Sequence, residues 1–232
     1  MGFPTTRSAV PSTGWGTPGS GPATSSTPTR SWRKKRRIRE QIRALPRRSV
    51  VLAEDETDLL LFPPLRACWA MRGQSAEVLL SGRNARRVVF GALNLCTGYR
   101  LFLARQHQRA GDFQEFLRLV HGHYRGWHVA LLLDEDPSHT AGDPTTLAWS
   151  YEIDLLWLPK RCPKLNPMDT LWGQGKDRLS ANKQYATMDD QVDRFIDYLQ
   201  SLSGKEALHT AGVLSEHFWL KHALSKNFCG LA

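Results

Sequence analysis

Cysteine is scarce and scattered. The four among 232 residues, Cys68, Cys96, Cys162 and Cys229, form no C-x-x-C pair. That spacing argues against a structural zinc site and a disulfide framework, and it predicts reduced thiols in a cytosolic setting. Long apolar runs are missing too. No stretch reaches about 18 uncharged apolar residues, so no transmembrane helix is expected. The N-terminus lacks the apolar central region of a signal peptide. Acids are almost absent from the front: residues 1–48 carry eleven Lys or Arg against one Glu, whereas residues 49–232 carry twenty against twenty-one. The net charge of +9 therefore belongs to the front of the chain, and the remainder is nearly neutral.

What is present divides the chain in three. Residues 1–30 hold 22 Gly, Pro, Ser or Thr. Such a tail cannot bury enough apolar surface to offset its ordering entropy and is expected to be disordered. Residues 31–48 form a basic linker in which Ile38, Ile42 and Leu45, at i, i+4 and i+7, predict a short amphipathic helix ended by Pro46. Residues 49–232 suffice for one domain of ordinary size, and the chain's apolar fraction of 41% supports a core.

Within that domain, strands are expected at 49–62, 87–95, 99–104, 128–134 and 153–158, with a loop-rich insertion at 63–85. The second and third make a hairpin turned at Gly98. Asp112 is placed to cap a helix with Phe113, Phe116, Leu117 and Val120 on its apolar face, and Asp143 to cap another. Asn166 and Pro167 read as N-cap and first residue of a helix through about Ser180. Thr187 opens the next, and a short helix follows Ser215. The stretch 188–200 reads two ways, as packing on the sheet or as a dimer surface. An antiparallel opening followed by βαβ crossovers gives an α/β fold with a mixed five-stranded sheet, helices on both faces and extra helices at the C-terminus.

Three acids sit where ligand chemistry concentrates. Asp134 closes the apolar run Val129–Leu133, at the strand end that faces the crevice of an open α/β sheet. Asp169 follows after 34 intervening residues, at the third position of its helix, where a carboxylate favours the positive helix end and can also reach a metal. Asp55 falls in Glu54-Asp55-Glu56-Thr57-Asp58, four acids in five residues. It shares a strand face with Val51 and Ala53, while Glu54 and Glu56 face the other way. An exposed acidic edge and a cation site both remain open for this segment. Mg2+ takes one or two carboxylates per ion, and two ions about 3.5–4 Å apart suit in-line phosphoryl transfer.

These residues carry a family resemblance. Ala53-Glu-Asp-Glu-Thr57, Leu131-Leu-Leu-Asp134 with Ser138-His139, and Leu158-Pro-Lys-Arg-Cys-Pro-Lys-Leu-Asn-Pro-Met-Asp169-Thr-Leu-Trp172 resemble a DDE transposase catalytic domain. The branch is the bacterial insertion-sequence one of the mariner superfamily. The resemblance implies an RNase H-like fold with Asp55, Asp134 and Asp169 as catalytic metal ligands. It implies two Mg2+ or Mn2+ ions, and double-stranded DNA cleaved at transposon ends and joined to a target. Glu56, His139 and Asn166 would stand behind the acids, and a homodimer would pair two ends in a cytoplasmic, nucleoid-associated protein. Departures are Glu135, where many members have Asn, Asp169 where many have Glu, and residues 1–30, which hold no periodicity for the usual helix-turn-helix module. A truncated or split copy is therefore expected. Arg33, Lys34, Lys35, Arg36 and Arg37 would contact phosphates without reading sequence, and Arg83, Arg86 and Arg87 would add contacts. A remnant that binds DNA without cutting it is the alternative.

Overall fold

A computed structural model describes residues 28–69, 72, 77–78, 80–160 and 162–224. The expected disordered tail therefore falls largely outside the described residues, except that Pro28, Thr29 and Arg30 already belong to the first helix.

That helix, α1 (Pro28–Ala44), buries Ile38 and Ile42 against the core and leaves its basic face outward. Five strands follow: β1 (Ser49–Leu60), β2 (Arg86–Asn94), β3 (Arg100–Arg105), β4 (His128–Leu133) and β5 (Ile153–Trp157). They form one mixed sheet in the order β3-β2-β1-β4-β5, antiparallel on the β2 side of β1 and parallel on the β4 side. Central strands flanked on both faces must be apolar throughout. Accordingly β4 sends Ala130 and Leu132 into one core, and Val129, Leu131 and Leu133 into the other. The β2–β3 turn needs Gly98: its φ is +73°, and a Cβ there would lie 2.1 Å from the Gly204 carbonyl oxygen.

On one face lie α2 (Ala110–His123), α3 (Pro137–Thr140) and α4 (Gly142–Ser150). The other face carries α5 (Pro167–Gly175), continued by a π-helical turn at Lys176–Ser180, and α6 (Met188–Ser201). Two short helices, α7 (Gly204–Thr210) and α8 (Lys221–Leu224), close that side. The apolar stripe of α6 (Val192, Phe195, Leu199) is buried against the sheet, so packing is its role.

Several local details differ from expectation. Asp112 is not the cap of α2 but its third residue, where its carboxylate accepts from the Arg109 amide at 3.1 Å. Asp143 likewise lies inside α4. The helices α3 and α7 went unforeseen, although Ser203 and Glu206 form a capping box for α7. Cys68 and Cys162 are free thiols, whereas Cys96 is disulfide-bonded, a pairing that scattered cysteines do not reveal. Among the described residues no helix is long and apolar enough to cross a membrane.

Candidate metal centre

The parallel register sets Ala53 of β1 against Leu132 of β4. Asp55 and Asp134, each two residues further on, are thereby brought side by side. Asp169 arrives from the other direction. After β5 the chain turns back over the sheet, and Asn166 caps α5 by accepting from the Met168 amide at 3.2 Å. Its Nδ2 donates to the Glu54 carbonyl at 2.7 Å, which ties the start of α5 to β1. Asn166 thus acts through its hydrogen bonds, and the helix it fixes presents Asp169 to the strand ends.

Asp55, Asp134 and Asp169 line one cleft of about 350 Å3, together with Glu135, Leu158, Pro159, Lys160, Cys162, Pro163 and Asn166. Burial pushes the Asp55 carboxyl up to about 7, and Glu56, Asp134 and Asp169 reinforce the shift. Negative charge is thus in excess at this point of the cleft. Oxygen donors, an open mouth and unneutralised charge fit a hard divalent cation. Burial also lowers the Lys176 ammonium, although Asp58, Asp55 and Asp169 draw it upward.

Behind the cleft, on the opposite face of β1, lies a second group of acids. Glu54 is fully buried, so this part of β1 is no exposed acidic edge but the interior of a central strand. His139 is 1% exposed and neither caps a helix nor faces water. Its Nε2 lies 2.7 Å from Glu56 Oε1 and 3.9 Å from Glu54 Oε2, and its Nδ1 lies 3.3 Å from Asp134 Oδ1. The Phe113 ring packs on the imidazole at 4.4 Å. Burial alone would lower the imidazole, but Glu54, Asp134 and Glu56 outweigh it and push His139 up to about 12. The hydrogen bond from His139 holds Asp134 below the usual carboxylate range. Burial drives Glu54 well above that range, and neither oxygen of its carboxylate has a hydrogen-bond partner.

Glu54, Glu56 and His139 form the described group of metal-ligating side chains whose ligand atoms all lie within 4.8 Å of one another. That group is largely buried, whereas the open cleft lies on the aspartate side. Glu54 escaped the sequence reading; its alternation with Asp55 was visible, but not the helix that covers it.

Of the basic residues, Lys34 reaches the cleft. Its ammonium pairs with Glu135 Oε1, and Lys160 Nζ lies 3.2 Å from Glu135 Oε2. Lys35 borders a neighbouring groove with Lys164 and Trp219. Arg36 pairs with Glu40, while Arg33 and Arg37 lie exposed on α1. Arg86 and Arg87 are engaged internally by Asp58 and Asp189, and Arg83 borders a shallow groove with Gln184.

A family model described as "DDE superfamily endonuclease" matches residues 50–191. The insertion element IS630 uncharacterized 39 kDa protein of Shigella sonnei is 26% identical over 157 residues, which is 66% of this chain. The chain spans 45% of that relative's length. Among solved structures, the Mos1 mariner paired end complex with Mn superposes with a TM-score of 0.65 at 14% identity, over 93% of this chain and 67% of that one. The catalytic domain of Mos1 mariner transposase gives 0.56 at 14% identity, over 84% and 94%. The fold is RNase H-like.

Proposed function

The chain belongs to the DDE superfamily endonucleases, and we propose that it is a transposase catalytic domain that cuts DNA phosphodiesters and transfers the freed strand. Residues 49–232 are its catalytic unit, and 31–48 a basic arm seated on that unit. The observation that carries this reading is the opening of Asp55, Asp134 and Asp169 onto one cleft. The structurally similar Mos1 complexes, formed with a transposon end and with Mn or Mg, support the same chemistry.

Asp55, Asp134 and Asp169 would hold two Mg2+ or Mn2+ ions, which would supply activation of the attacking oxygen and neutralisation of charge on the phosphoryl group. The chain's own part is to hold the ligands. Asp55 is fixed by the central strand. Asp134 is oriented by His139, which Glu56 anchors from behind. Asp169 is set by α5, whose start Asn166 pins to β1. Water, and then a DNA 3′-hydroxyl, serve as nucleophiles, and no protein side chain is covalently modified. The DNA ends and target are double-stranded, and a homodimer would hold two ends together.

The test is nicking of duplex DNA with Mg2+ or Mn2+ by the protein and by Asp134→Asn. Loss of nicking with retained folding supports the reading, and undiminished nicking by the variant contradicts it. Steeply salt-dependent binding with no nicking by either protein would return the binding-only alternative.

A further inference from the structure

Asp55, Asp134, Asp169 and Glu135 make the cleft mouth strongly negative, which opposes the approach of any nucleic-acid backbone. The same mouth contains a cationic fork. Lys34 and Lys160 come from different segments, one from α1 and one from the stretch after β5, and each ammonium meets a different oxygen of the Glu135 carboxylate. A phosphodiester presents the same pattern, with two non-bridging oxygens sharing one negative charge. Lysine binds such a group as a point charge and requires no fixed fork geometry.

We propose that Lys34 and Lys160 form a seat for a backbone phosphate beside the catalytic acids, and that Glu135 fills this seat until DNA displaces it. Position supports this. Lys34 lies one helical turn before Ile38, whose buried side chain, with that of Ile42, docks α1 on the core. Arg39, donating to the Trp219 carbonyl at 2.8 Å, holds the same helix from another side. Lys34 is therefore carried to the cleft by a fixed element. The Lys160 side chain is 74% exposed and Lys34 37% exposed, so their pairs with Glu135 are weak and exchangeable. A phosphate entering the fork leaves Glu135 at the cleft, where a cation from solution can compensate it.

The inference rests on the DNA-cleaving reading for the source of the phosphate, so its test is kept separate from cleavage. Binding of short duplex DNA is measured by fluorescence anisotropy in EDTA, with the full chain, at several salt concentrations. Glu135→Gln is expected to bind several-fold more tightly. The plot of log affinity against log salt should steepen by about one, the effect of one further neutralised phosphate. Adding Lys34→Ala and Lys160→Ala to Glu135→Gln should abolish the gain. Unchanged binding by Glu135→Gln, or a gain that survives loss of both lysines, would overturn the seat. Weaker binding with a lowered melting temperature would also overturn it, by making Glu135 a tether for α1. Failure of metal-dependent nicking would leave this result standing, and the reverse also holds.

Discussion

The Nδ1 of His139 stands 3.3 Å from Oδ1 of Asp134. Its other nitrogen is held at 2.7 Å by Glu56. One buried imidazole thus connects an exposed metal-ligand candidate to the interior of the sheet. Partners of this kind orient ligands, and their loss typically weakens metal binding by roughly 10- to 100-fold. His139→Gln should lower Mn2+ affinity by that order. Glu56→Gln, which keeps an oxygen to accept from Nε2, should have a smaller effect. Calorimetric titration with Mn2+ on both variants checks this, and equal affinity in all three proteins would reduce His139 to a packing residue.

Asp55 predicts a pH dependence. Its carboxyl is raised from 3.8 to about 7, first by burial and then by Glu56, Asp134 and Asp169. A raised value means that the folded state binds the proton more tightly than the unfolded one. Without divalent cations, this contribution is fully present below about pH 4 and falls as pH rises to about 7. Asp55→Asn removes the dependence. In EDTA near pH 8 it should be more stable than the parent, by at most about 4 kcal/mol, with the gap closing in acid. Saturating Mn2+ should stabilise the parent and not the variant. Thermal melts across pH measure this.

Gly91 on β2 faces α5. A Cβ there would lie 2.5 Å from the Trp172 ring and 2.8 Å from the Met168 methyl. Overpacking of this kind costs about 1–3 kcal/mol. Because Asp169 follows Met168, a displaced α5 also moves a metal-ligand candidate. Gly91→Ala should lower both the melting temperature and Mn2+ affinity, and a change in the first alone would separate the helix position from the site.

Asn166 performs two tasks that substitutions can divide. Asn166→Asp keeps the cap on Met168 but loses the donor to the Glu54 carbonyl; Asn166→Ala loses both. Loss of a cap costs about 1 kcal/mol. Asn166→Ala should therefore be the less stable, while both should weaken Mn2+ binding through the freed start of α5. Denaturant melts and metal titrations on the pair test this.

The sheet and the acids were legible because their signals are local. Val129–Leu133 reads as a strand covered on both faces, and Asn166-Pro167 as a helix start, from a few adjacent residues. Alternation along β1 even separated Asp55 from Glu54 and Glu56. What the sequence withheld are pairings between distant segments. Glu56 meets His139 across 83 positions, and Lys34 meets Glu135 across 101. Nothing in either local pattern indicates the other partner. The burial of Glu54 was hidden for the same reason: four acids in five residues read as exposed until a covering element supplies His139.

The central claim is that Asp55, Asp134 and Asp169 together form one divalent-cation centre. Its most direct test is Mn2+ calorimetry on the full chain with short duplex DNA, beside the Asp55→Asn, Asp134→Asn, Asp169→Asn variant shown to be folded by circular dichroism. The account predicts saturable binding of two ions by the parent and its loss in the variant. Binding of the same stoichiometry and affinity in both would contradict it.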